Sequence, residues 1–153
     1  MVEVSIRDID GIQVDESNWP IIVTVFPAGK VEDATLLAVL KHLEQLMRDA
    51  DSRGDKLFFI TDLTHMRDVP NATQRRYTGE WIQRTFDLQR AASLGAAQVT
   101  PSAILRGIIT AVFWFQKTPT PSFFVANRDE AVSKGIALLE EAGMPLPHVR
   151  RAQ

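Results

Sequence analysis

The chain has 153 residues, 45% of them hydrophobic and 24% charged, and carries a formal net charge of −2. It contains no cysteine, which excludes disulfides, thiolate nucleophiles and cysteine-ligated zinc. The length suits one domain with a core that needs no covalent staple, and the lack of a basic excess argues against a dedicated nucleic-acid binder.

The first residues, Met1 to Asp8, lack a basic segment followed by a long apolar run, so no signal peptide is expected. The most apolar stretch, 108–115, is too short to cross a bilayer. These features make the cytoplasm the default location and imply no integral membrane segment. No repeat or low-complexity run interrupts the chain. A single domain over 1–144 is expected, followed by a loose tail over 145–153 with Pro145, Pro147, Arg150 and Arg151.

Residues 4–8 and 12–15 flank Asp10-Gly11, a turn signal at hairpin spacing. The run 21–26 is continuously apolar apart from Thr24, which predicts a strand covered on both faces. Residues 32–53 read as a helix, with Leu36, Leu40, Leu43 and Met47 on one stripe and Gly54 as its stop. Residues 56–62 hold Leu57-Phe58-Phe59-Ile60 and predict a central strand.

Asn71 and Gln74 then have capping-box spacing and open a second helix, expected to run to about Leu94 with Gly95 as its end. Tyr77, Trp81, Leu88 and Ala92 mark its apolar stripe. A short strand over 97–100 and a third helix over 103–116, capped by Ser102, follow. The last pair is a strand over 122–126 and a helix to Gly143, where Asn127 and Glu130 repeat the capping spacing. Alternating strands and helices predict a largely parallel sheet, and the N-terminal hairpin makes it mixed.

No P-loop, dinucleotide fingerprint, nucleophile elbow or paired-histidine zinc motif occurs. The three histidines, His42, His65 and His148, are far apart in sequence. Asp62, His65 and Asp68 form the one local set with metal-ligand character, but their spacing matches no known signature and the plain reading is a polar loop. Asp62 lies at a strand end, where ligands bind in open α/β sheets, although its plain reading is a turn or capping carboxylate. Arg76, Glu80 and Arg84 follow one another at steps of four, the spacing of surface ion pairs. Phe113, Trp114, Phe115, Phe123 and Phe124 either fill the core or line an apolar pocket. The chemistry therefore points away from an enzyme, and no catalytic residue, metal or cofactor is expected.

The segment Leu57-Phe58-Phe59-Ile60-Thr61-Asp62-Leu63-Thr64-His65-Met66 resembles the central strand and following loop of the STAS domain, the SpoIIAA-like anti-sigma-factor antagonist family. Trp19 before an apolar strand, Gln74-Arg75 opening the second helix, Trp81, and Arg106-Gly107 in the third helix are similar too, and the order of elements agrees over nearly the whole chain. The resemblance implies an α/β fold with a mixed sheet of four to five strands and about four helices packed mainly on one side. It also implies a non-enzymatic regulatory domain of bacterial signalling type that binds a protein partner. In that family a serine at the helix start is phosphorylated. Here the stretch reads Arg67-Asp68-Val69-Pro70-Asn71-Ala72-Thr73, without Asp-Ser-Ser-Gly, and Thr73 is the hydroxyl left as a candidate phosphosite.

The expected docking surface is the loop 62–71 and the helix after it, with Asp62, Thr64, His65, Asp68, Asn71, Arg75 and Arg76 as its polar groups. A small sheet with a free edge also allows a homodimer. The alternative is a small-molecule or lipid-binding domain with an apolar pocket. A metal-dependent enzyme built on Asp62, His65 and Asp68 is the least favoured reading.

Overall fold

In the computed structural model, residues 5–114 and 118–147 are described. The side chains of Phe113 and Trp114, together with Phe115 and His148, fall outside that description. So does most of the expected loose tail.

The chain begins with a hairpin, β1 (Ile6–Ile9) and β2 (Ile12–Asn18). Asp10 has φ 47° and Gly11 φ 96°, the positive angles that a two-residue hairpin turn requires. The Gly11 amide also donates to Asp8 Oδ1 at 2.8 Å. β3 (Ile21–Val25) pairs antiparallel with β2 and parallel with β4 (Leu57–Asp62). β5 (Ser93–Val99) and β6 (Ser122–Val125) continue the parallel part, so the strands lie in chain order across the sheet. Each of the six segments read as a strand forms one. The sheet is mixed as expected, but it has six strands rather than the four to five implied by the resemblance.

Among the described residues five helices complete the fold: α1 (Asp33–Arg53), α2 (Ala72–Arg84), α3 (Phe86–Ala92), α4 (Ala103–Trp114) and α5 (Arg128–Glu141). The extra helix arises because the predicted long second helix breaks at Thr85. The Thr85 hydroxyl donates to the Trp81 carbonyl at 2.7 Å, and its backbone, at φ −100° and ψ 13°, departs from helical angles while its amide still donates to Trp81 O at 2.9 Å. The chain then enters β5 four residues earlier than the expected strand start at 97. Gly95, expected as a helix stop, lies inside β5. A Cβ there would sit 2.8 Å from the Pro121 carbonyl oxygen, so only glycine permits β6 to approach this closely.

Two apolar layers flank the sheet. Ile21, Val23, Phe58, Ile60, Ala97 and Val99 pack with Ala131 and Leu139 of α5 on one face. Val14, Ile22 and Leu57 pack with Leu46, Met47 and Ala50 of α1 and Ala92 of α3 on the other. β3 supplies alternate residues to both layers, the reason its sequence is continuously apolar. Gly135 lets α5 lie close to the sheet, because a Cβ there would come 2.5 Å from Phe58 Cδ1. At the end of α1, Gly54 adopts φ 74° and its amide returns to Asp51 O at 3.2 Å, the stop read from the sequence. Trp19 closes the same corner, with Nε1 donating to Asp55 Oδ2 at 3.0 Å.

Candidate functional site

The C-terminal ends of β3, β4 and β5 lead into a cleft of about 640 Å³ on the α1 side of the sheet. Its apolar wall comes from the α1 stripe: Leu36, Leu40, Leu43 and Met47 all line it. These residues bury one face of α1, yet they do not close fully on the sheet below. Phe59 and Ala96 form apolar floor, while Leu63, Met66 and Val69 come from the loop after β4. Trp81 and Ile82 of α2 and Ile109 of α4 add further apolar surface. The volume falls within the range of small-molecule sites, roughly 300–1,000 Å³.

The loop after β4 is thus a wall of the cleft, and its polar residues fix its course. Asp62 is only 6% exposed. Its Oδ1 accepts from the Thr64 amide at 3.0 Å and the Thr64 hydroxyl at 2.5 Å, the turn-forming role expected of it. Its Oδ2 accepts from Arg128 Nη2 at 2.6 Å, a partner that sequence spacing did not reveal. Burial opposes ionisation of Asp62. The Thr64 hydrogen bonds and the Arg128 guanidinium outweigh it and hold the carboxyl below its ordinary range.

The far end of the loop is held by Gln74. Its backbone amide donates to Asn71 Oδ1 at 2.8 Å, and its Oε1 accepts from the Asn71 amide at 3.2 Å. The capping box is therefore complete. The same side chain also donates from Nε2 to the Val31 carbonyl at 2.6 Å, tying α2 to the segment before α1. This third bond was not legible in the sequence. Arg75 Nη1 donates to the Pro70 carbonyl at 2.7 Å, so the arginine braces the same turn. Thr73 is half-buried in the first turn of α2.

The remaining docking candidates behave differently. Thr64, His65, Asp68, Asn71 and Arg76 are exposed. Val69, a large apolar residue, is 43% exposed beside them. Asp62, His65 and Asp68 do not converge, and among the described residues no group of three histidine, aspartate or glutamate side chains is placed to hold a metal ion. Arg76 approaches Glu80 at 3.7 Å. Arg84 does not complete that ladder, because it reaches across to Glu44 of α1 at 3.0 Å. Phe123 packs on the α5 side of the sheet rather than around the cleft, since strand alternation sends it to the opposite face.

No protein-family model matches the sequence, and comparison with characterised proteins gives no match.

Proposed function

We propose that this chain is a non-catalytic binding domain that holds a small, largely apolar molecule in the cleft between α1, α2 and the sheet. The observation that carries the reading is the cleft itself. Apolar side chains from three helices, the sheet and the 62–71 loop surround about 640 Å³ at the C-terminal ends of parallel strands. Tight packing would ordinarily fill such a space, because cores approach crystal-like density. Here the apolar stripe of α1 does double duty as core and as cleft wall.

A second reading is favoured by the exposed Val69 among Thr64, His65, Asp68 and Asn71. Asp68, Val69 and Asn71 stand at the cleft mouth, while exposed Thr64 and His65 lie outside its lining. A protein partner that docks on the outer side would sense cleft occupancy through the same backbone. This regulatory role agrees with what the resemblance to SpoIIAA-like domains implies. Neither reading assigns a catalytic residue.

Native mass spectrometry of the intact chain, purified without denaturation, tests the first reading. A reproducible added mass with one molecule per chain supports it. If protein that carries no added mass also fails to bind any apolar fluorescent dye saturably, the cleft is not a ligand site.

A further inference from the structure

The cleft floor carries a polar row in a mainly apolar space. Thr24 of β3 is in register with Thr61 of β4, and Thr61 is in register with Gln98 of β5. Equal register on adjacent strands places three side chains side by side, about 4.8 Å apart from strand to strand. All three line the cleft. Thr24 is 3% exposed and Gln98 8%.

Among the described residues, the hydroxyls of Thr24 and of half-buried Thr61 have no side-chain partner, and both open onto the cleft rather than being sealed in the core. Gln98 is half-satisfied: its Oε1 accepts from Ser122 Oγ at 3.0 Å. With the amide so oriented, its nitrogen is left as the group open to the cleft. The row therefore offers two hydroxyl donors and one amide donor.

Resting on the reading of the cleft as a ligand site, we infer that Thr24, Thr61 and Gln98 recognise an uncharged carbonyl group on an otherwise apolar ligand. A carbonyl oxygen accepts two hydrogen bonds, and neighbouring members of the row supply them. The hydrocarbon part of the ligand lies against Leu40, Leu43 and Phe59. A carboxylate is a poorer fit to the floor, where no cation offsets its desolvation. Of the cationic lining residues, Lys30 and Arg67 are exposed and so belong to the rim, and half-buried Arg75 is engaged by the Pro70 carbonyl, to which its Nη1 donates at 2.7 Å.

The test is displacement of N-phenyl-1-naphthylamine from the intact chain by 2-acetylnaphthalene, 2-ethylnaphthalene and 2-naphthoate. The first two differ by a carbonyl in place of a methylene. Thr61→Val, Thr24→Val and Gln98→Met each keep side-chain volume and remove a donor. The ketone is expected to weaken roughly 5-fold for each lost hydrogen bond, with the hydrocarbon unchanged or tighter. Circular dichroism of each variant checks that the fold is kept. Equal effects of the variants on ketone and hydrocarbon would overturn the inference. So would tighter binding of the naphthoate that survives all three substitutions, because the rim cations would then read an anion. If the dye binds one to a chain and none of the three compounds displaces it, this inference fails while the cleft stands as a ligand site. If the dye itself does not bind, both fall.

Discussion

Arg128, the first residue of α5, donates to Asp62, the last residue of β4, at 2.6 Å. The pair joins the helix on one face of the sheet to the loop that walls the cleft on the other. Asp62→Asn removes the negative partner and weakens the Thr64 turn. The side chain of Arg128 is about half exposed, which limits the loss to about 1–2 kcal/mol near neutral pH. Urea unfolding of the two proteins measures it.

The pH dependence of that difference has a definite sign. The folded-state pKa of Asp62 lies below its ordinary value of 3.8. Its contribution is therefore present above the unfolded value and lost as pH falls through the folded one. The stability gap between the wild type and Asp62→Asn is expected to be constant from pH 7 to pH 5 and to shrink below pH 4. A gap that grows on acidification contradicts the ion pair.

Gly135→Ala places a methyl against the fully buried Phe58 ring, 2.5 Å from Cδ1. Overpacking at such a contact costs about 1–3 kcal/mol. Thermal unfolding should show a lower Tm. Because α5 and the cleft lie on opposite faces, dye affinity of the folded variant should be unchanged.

Gln74→Leu keeps the bulk of the side chain and removes both of its side-chain hydrogen bonds. The expected cost is about 1–2 kcal/mol. Hydrogen exchange supplies a more specific readout. The amides of residues 66–69, 71 and 72 should exchange faster, while those of β4 and α5 keep their protection. Uniform loss of protection would mean that Gln74 supports the whole fold and not this loop.

Much of this was legible in the sequence, for local reasons. Period and capping gave α1, α5 and the start of α2, since the Asn71–Gln74 and Asn127–Glu130 pairs act within one turn. The apolar segments gave β3, β4 and β6, the Asp10-Gly11 turn gave β1 and β2, and β5 was read only from residue 97 onward. The break at Thr85 escaped because a threonine that bonds back to Trp81 looks, in sequence, like any helical threonine. The early start of β5 escaped because Gly95 reads as a helix stop until Pro121 is seen against it.

The course of the 62–71 loop was legible in the sequence, and its long-range hydrogen-bond partners were not. The 62–71 loop was found from strand-to-helix geometry. Arg128, Val31 and Glu44, the groups that engage Asp62, Gln74 and Arg84, come from 66, 43 and 40 residues away. No spacing rule reaches that far. The Thr24–Thr61–Gln98 row is a product of strand register, which exists only once the sheet is formed.

The most direct test of the binding role is a fluorescence titration of N-phenyl-1-naphthylamine into the wild type and Leu43→Trp. Leu43 lines the cleft and is only partly buried, so a larger ring can occupy the open volume without breaking the core. Saturable one-to-one binding by the wild type, weakened at least about 10-fold by a substitution that keeps the far-ultraviolet spectrum and Tm, is the expected result. Absence of saturable binding by the wild type, or equal affinity in the filled variant, would contradict the account.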